Sequence, residues 1–131
     1  MMSVTFEHPV AVRWRDVDAL GHVNHAVFLT YLEEGRDAFF TRALGDPAYV
    51  VVRLEVDLRA EVLLAERRVT VRIAVERLGT TSLTTRETIL MAAGKVAAEA
   101  RVVTVRWDPG RRKPVPFSAA ERAQLATAVT S

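Results

Sequence analysis

The chain has 131 residues, 50% of them hydrophobic and 26% charged, with a formal net charge of +2. That size and balance predict one soluble globular domain over residues 1–131, with little support for a nucleic-acid partner. Cysteine is absent, which excludes disulfides, thiolate nucleophiles and cysteine metal sites, and no run is long enough to read as a transmembrane helix.

Met1 to Val12 has neither the basic start nor the apolar stretch of a signal peptide, so the expected location is cytoplasmic, with no membrane partner. Val4 to Arg13 mixes apolar and polar positions as a first strand does, and Pro9 marks an edge position or a bulge. The stretch from Trp14 to Phe40, WRDVDALGHVNHAVFLTYLEEGRDAFF, organises the rest of the chain. Phe28, Tyr31, Leu32, Gly35 and Phe39 recur at the spacing of one buried helix face, while Glu33, Glu34 and Asp37 fall mostly elsewhere. The helix should stop near Gly45-Asp46-Pro47. From Val50 the period becomes two, which predicts a strand whose buried face carries Val50, Val52, Leu54, Val56 and Leu58. Val69, Val71, Ile73 and Val75 mark another strand, ending at Leu78-Gly79. Turns at Gly79-Thr80-Thr81 and Ala93-Gly94-Lys95 then separate strands at Ser82 to Met91 and Val96 to Trp107, so the strands read as an antiparallel meander. Arg111 to Pro116 reads as a loop or arm, and the Ser118-x-x-Glu121 capping box opens a terminal helix over Ala119 to about Ala128. One strand, one apolar helix and a run of strands is the order of an α+β fold in which a curved antiparallel sheet wraps a central helix.

One helix covers only one face of such a sheet, and edge strands expose unpaired backbone groups. A homodimer that continues the sheet is therefore expected. Chemistry is expected where the helix begins. Its first turn leaves N–H groups without internal partners, and the peptide dipoles add positive character there; an oxyanion formed at a carbonyl resting on them is stabilised. Asp18, just upstream, is placed to deliver the attack, with capping of its own turn as the plainer role. Asp16 is expected to be structural, accepting backbone N–H groups or pairing with Arg13 or Arg15. Asn24 should cap the helix, and Gly21 should take a positive φ or admit close approach of the loop to an acyl group. His22 and His25 lie near two aspartates, but no third histidine stands nearby, so no metal is expected. Glu34 sits about 15 Å along the helix and is expected to be solvated or ion-paired, with Arg36 as one candidate.

The order D-x-D-x-x-G-H-V-N is carried here by Asp16, Asp18, Gly21, His22, Val23 and Asn24, and is followed by Glu33, Glu34 and Arg36. It resembles the entry segment of the hotdog-fold acyl-CoA thioesterases of the 4-hydroxybenzoyl-CoA thioesterase type. Leu78 to Ser82 and the strand ending Val105-Arg106-Trp107 extend the resemblance over nearly the whole chain. The resemblance implies hydrolysis of an acyl-CoA thioester to free acid and coenzyme A, the latter being part of the substrate, with no separate cofactor. It implies Asp18 as the catalytic carboxylate, either a nucleophile forming a mixed anhydride or the general base for water, and the His25 backbone N–H as donor to the thioester oxygen. Gly21, His22, Asn24, Thr81 and Ser82 become the expected substrate contacts. Arg53, Arg59, Arg67, Arg68, Arg77, Arg86 and Arg111-Arg112-Lys113 are the cations available to its phosphates. The resemblance also implies dimers assembling into homotetramers, with sites between subunits. The competing readings are a hotdog module that binds acyl-CoA, or an acyl carrier protein's cargo, without turnover, and a hydratase or dehydratase of the same fold.

Overall fold

The structure, a computed structural model, describes residues 5–46 and 48–129. Its elements in chain order are β1 (Phe6–Ala11), α1 (His25–Leu44), β2 (Tyr49–Leu58), β3 (Arg68–Leu78), β4 (Ser82–Leu90), β5 (Val96–Asp108), β6 (Lys113–Pro114) and α2 (Ala119–Val129). Val4 and Pro47, assigned above to the first strand and the helix stop, lie outside the described residues.

The apolar spacing places α1 well. Asn24 caps its start, and Gly45, at φ 73°, ends it by donating its N–H to Thr41 O. The buried face carries Phe28, Tyr31, Leu32, Gly35 and Phe39 as expected, and Arg36 and Phe40 besides. Gly35 is needed for packing: a Cβ there would collide with the Val71 side chain of β3, so its absence lets the helix lie close on the sheet. Phe28 and Leu32 are 0% and 1% exposed, and burial of such a side chain contributes about 1.5–3 kcal/mol. Val69, Val71 and Ile73 of β3, Leu83 and Ile89 of β4, and Val102 of β5 supply the facing side of the same core.

The expected α+β arrangement is present, a curled antiparallel sheet around a long central helix, and the strands joined by the short turns, β3, β4 and β5, form the expected meander. The order is β1-β3-β4-β5-β2, with β6 added on β5. β3, β4, β5 and β6 follow one another as neighbours, whereas β1 and β2 do not. β2 pairs with β5, from Tyr49↔Arg106 to Leu58↔Ala98, and β1 pairs with β3 at the opposite edge. A tight turn after Leu58 would have put β3 beside β2. Instead residues 59–67, compacted by a 3-10 turn at Leu64–Glu66, carry the chain across the strands between. Pro9 sits opposite Thr70 on edge strand β1, where its missing donor is tolerated.

β2 also departs from its expected single buried face. Val51, Val52, Leu54 and Leu58 are 37%, 57%, 39% and 47% exposed. A bulge between Val51 and Arg53 breaks the alternation, and α1 covers β2 only in part: the Phe40 and Tyr49 rings stack with centroids 4.6 Å apart and Val56 packs against the core, while Val52, Leu54 and Leu58 stay open. The Arg111–Pro116 arm contains strand β6, with Trp107↔Pro114 and Asp108↔Lys113 as pairs. The capping box of α2 is reciprocal: Ser118 N–H donates to Glu121 Oε1 at 2.9 Å and Glu121 N–H to Ser118 Oγ at 3.1 Å. No helix among the described residues is long and apolar enough to cross a membrane.

Candidate active site

Residues 12–24 form a compact loop tied down at both ends. Val12 N–H donates to Arg67 O and Val23 N–H to Val62 O, both at 2.8 Å. Val17 and Val23 make an isolated antiparallel bridge, which narrows the chain to the turn Asp18-Ala19-Leu20-Gly21. Gly21 N–H closes that turn on Asp18 O at 3.0 Å. Gly21 has φ +85° and open space around a would-be Cβ, so backbone conformation is what calls for glycine there.

Asp18 does cap its own turn: Oδ1 accepts from Leu20 N–H at 2.9 Å. The same oxygen lies 3.7 Å from His22 Nε2, with the two side chains 29% and 18% exposed. The other oxygen, Oδ2, accepts no hydrogen bond from a described residue. Capping and reactivity are therefore compatible, because one oxygen holds the turn and the other is left without a donor among the described residues. His22 Nδ1 is buried without a partner among the described residues.

Asp16 is the buried member of the pair of aspartates, 6% exposed. Its Oδ2 accepts from Arg13 N–H at 2.9 Å, Arg13 Nε at 3.3 Å and the Tyr31 hydroxyl at 2.7 Å. Asn24 N–H donates to its backbone oxygen at 2.9 Å. Asp16 thus ties the loop's first turn to the second turn of α1 and to the helix cap. Burial pushes its carboxyl up, but the Arg13 N–H, the Tyr31 hydroxyl and the Arg13 guanidinium together outweigh burial and hold it below the ordinary carboxylate value. Such a group stabilises the fold above its unfolded-state value and loses that contribution as pH falls through its folded value. Urea unfolding should find Asp16→Asn less stable than the parent by about 1.5–3 kcal/mol at neutral pH, with the gap closing below about pH 4. A gap that stays constant into the acid range contradicts this account of Asp16.

The helix start is built around Asn24. Its side chain accepts from Ala26 N–H at 2.9 Å and its carbonyl from Val27 N–H at 2.9 Å. The His25 N–H is left as a first-turn donor without an acceptor among the described residues. The His22 and His25 rings meet edge to face, centroids 5.7 Å apart, which places the Asp18 turn beside the helix start. From there an open, mainly apolar cavity of about 350 Å³ runs between His25, Ala26 and Leu29 of α1 and Leu54, Val56 and Leu58 of β2. The structure thus brings Asp18, Gly21, His22, Asn24 and His25 together.

It does not bring Thr81 and Ser82 to them within one chain. These residues form the β3–β4 turn, where Gly79 N–H donates to Ser82 O and Arg106 N–H to Thr81 O, both at 2.8 Å. The Asp18 loop joins the other end of β3 through Arg67, and a strand of that length spans roughly 33 Å. Glu34 is ion-paired as expected, but with Arg13 at 2.9 Å rather than with Arg36. Arg36 instead reaches Glu87 across the core at 2.8 Å. Among the cations considered for phosphates, Arg53, Arg59 and Arg86 are engaged by Glu55, Asp57 with Glu99, and Glu76. Arg67, Arg68, Arg77, Arg112 and Lys113 have no carboxylate partner among the described residues. Among those residues no group of three or more His, Asp or Glu side chains converges as a metal-ligand set.

Sequence reasoning missed the exposed apolar residues around this site. Trp14 and Leu20 on the loop are 81% and 84% exposed, and Leu29, Leu63 and Leu64 are exposed beside them. Together with β2, these account for all the large exposed hydrophobic side chains among the described residues. The spacing of apolar residues gives no signal that separates a side chain covered by its own chain from one left open.

An antiparallel sheet curled round one long helix, with an acid on the turn before the helix's amino end, defines a hotdog-type thioesterase fold. The family model of the thioesterase-like superfamily matches residues 12–125, and the chain belongs to that superfamily. A thioesterase from Thermus thermophilus, solved with coenzyme A and Zn, is 36% identical, with a TM-score of 0.82 over 93% of this chain and 92% of that one. A predicted thioesterase from Bacillus stearothermophilus is 30% identical, with a TM-score of 0.87 over 97% and 98%. A 1,4-dihydroxy-2-naphthoyl-CoA thioesterase from Synechocystis shares the fold at 19% identity, with a TM-score of 0.79 over 93% of this chain and 96% of that one. No curated protein matches the chain.

Proposed function

We propose that this chain is an acyl-CoA thioesterase, a single hotdog domain that releases free acid and coenzyme A without a further cofactor. The observation that carries the reading is the pairing of the Asp18 carboxylate, one oxygen free, with the unpartnered His25 N–H at the amino end of α1. Asp18 takes a proton from water while the water oxygen bonds to the thioester carbon, and the negative charge that develops on the carbonyl oxygen rests on the His25 N–H. Collapse of this intermediate breaks the C–S bond, and the departing thiolate takes the proton back from Asp18. In the alternative course Asp18 itself bonds to the carbon, the thiolate leaves, and water opens the resulting anhydride. His22 orients Asp18, Gly21 and Asn24 shape the entry, and the apolar cavity between α1 and β2 holds the acyl group. The unpaired cations, among them Arg67 on the connection next to the Asp18 loop and Arg68 at the start of β3, are the ones free to meet phosphates.

The site is completed by a second copy. Leu29, Leu54 and Leu58 line the cavity at the helix's amino end and are exposed, as are Trp14 and Leu20 on the loop and Leu63 and Leu64 on the 59–67 connection, and β2 is an unpaired edge. Antiparallel pairing of two β2 strands lays the far end of one sheet beside the near end of the other, so that Thr81 and Ser82 of one copy approach Asp18 of its neighbour. The outer sheet face carries ion pairs such as Arg72–Glu7 and Arg101–Glu76, so a further step to a tetramer through it is polar. Leu54→Glu/Leu58→Glu should sediment as a monomer with unchanged circular dichroism and lose thiol release. A parent that sediments as a monomer, or a variant that sediments like a dimeric parent, removes the proposed assembly.

The nearness of His22 to Asp18 also suits a second reading, acid–base hydration or dehydration of an acyl thioester. A thiol-release assay over several acyl-CoAs, with product analysis on the parent and Asp18→Asn, decides. Thiol released by the parent and lost in the variant supports hydrolysis. Unsaturated or hydrated thioester without thiol supports the second reading, and tight binding without turnover in both supports a carrier module.

A further inference from the structure

A cavity larger than the one beside Asp18 lies elsewhere in the molecule. It holds about 500 Å³ at the opposite end of α1, between β1, the last turns of α1, β3 and α2. Arg42, on its wall, lies seventeen residues beyond His25, roughly 25 Å along the helix, so the two cavities are separate.

The chemistry of this second cavity is divided. Its depth is apolar: Phe39 and Ile73 are 4% and 1% exposed, Ala43 is half-buried, and the Phe6 and Phe39 rings meet edge to face with centroids 5.7 Å apart. Its rim carries Arg42, Gln124 and Thr5, all exposed. The one carboxylate on the wall, Glu7, is already engaged by Arg72 Nε at 2.8 Å. Arg42 has no hydrogen bond or ion pair with a described residue, and the Gln124 side-chain amide likewise has none. The lining is mixed, with an apolar floor under a polar rim, which suits a small molecule with one apolar and one polar end. The uncompensated charge at its mouth is positive, so its ligand is anionic at one end and apolar at the other.

We propose that this cavity is a second ligand site that takes small monocarboxylic acids with an aromatic or compact apolar body. The body lies over the Phe6–Phe39 pair and the carboxylate accepts from the Arg42 guanidinium and the Gln124 amide. If the acyl-CoA reading holds, the free acid released at the other end of α1 belongs to this class. That link rests on the proposed thioesterase activity; the binding itself does not.

The test is an amide NMR titration of the full chain with phenylacetate, and with uncharged phenylacetamide as the control. Phenylacetate should give saturable shifts at Phe6, Arg42, Ala43 and Gln124, and phenylacetamide should bind at least about tenfold more weakly. Arg42→Gln should lose that preference for the acid and Arg42→Lys should keep part of it; Arg42 is exposed and makes no hydrogen bond or ion pair with a described residue, so neither change breaks one. No saturable shift at these residues, shifts confined to the Asp18–Leu29 end, or an Arg42→Gln variant that binds phenylacetate like the parent overturns the proposal. Loss of thiol release in the hydrolysis assay leaves this titration untouched, so failures of the two readings are told apart.

Discussion

Asp18→Asn should abolish most turnover, lowering kcat for thiol release by about 10²–10⁴-fold with little change in KM. Asparagine has the same shape, and its carbonyl can keep the bond from Leu20 N–H that closes the turn, so the loop should stay folded. What disappears is the oxygen that no protein donor occupies, and with it the proton acceptor or nucleophile. The His25 N–H is untouched, so residual polarisation of the carbonyl should leave some rate above that of water. Asp16→Asn is the contrasting control. It removes the buried negative charge that accepts from the Arg13 N–H, the Arg13 guanidinium and the Tyr31 hydroxyl, so its main effect should be on stability. A single turnover in heavy-oxygen water separates the two roles of Asp18: label found in its carboxylate identifies the anhydride route. Thiol release at parental rate in Asp18→Asn would remove Asp18 from the chemistry altogether.

What could be read from the sequence was what short-range periodicity encodes. The faces of α1 and β3 were legible because Phe28, Tyr31, Leu32, Val69, Val71 and Ile73 are covered by the chain itself at their own spacing. The helix cap at Asn24 and the box at Ser118 and Glu121 were legible because partners two or three residues apart are fixed by local geometry. For the same reason Arg13 was recognisable as a partner of Asp16. β2 was misread in its burial because alternation reports an apolar face, not who covers it; here the chain itself covers Tyr49 and Val56 in part and leaves Val52, Leu54 and Leu58 open. The place of β2 in the strand order was hidden because it depends on the path of residues 59–67, where no period applies. The partners of Glu34 and Arg36 lie 21 and 51 residues away, and no local rule reaches that far. Thr81 and Ser82 came from resemblance alone, and their place relative to Asp18 depends on assembly.

Breaking the Arg36–Glu87 pair from one side should be the most destabilising single change in the core. Arg36 Nε and Nη2 donate to Glu87 Oε2 and Oε1 at 3.0 and 2.8 Å, and the Thr85 hydroxyl adds a bond to Oε2 at 2.8 Å. The two side chains are 5% and 0% exposed, so neither charge can turn to water. Burial lowers the guanidinium pKa, but the hydrogen bonds and charge of Glu87 more than reverse this and keep it raised. In Arg36→Met the carboxylate keeps only the Thr85 hydroxyl, a loss of about 3–5 kcal/mol, which is a large part of the 5–15 kcal/mol typical of a whole domain. Glu87→Met leaves the guanidinium uncompensated and should cost a comparable amount. Arg36→Met/Glu87→Met removes both charges at similar volume and should recover most of the loss, because the pair's attraction mainly offsets its own desolvation. Urea unfolding of the four proteins measures this cycle, and single variants within about 1 kcal/mol of the parent would mean that water reaches the pair. The double variant carries a second reading. The pair fixes the rotation of α1 against β4, and α1 presents the His25 N–H roughly 16 Å up the same axis. A double variant as stable as the parent but slower in thiol release would place the pair's value in aiming that N–H, since its contribution to stability would by then have cancelled.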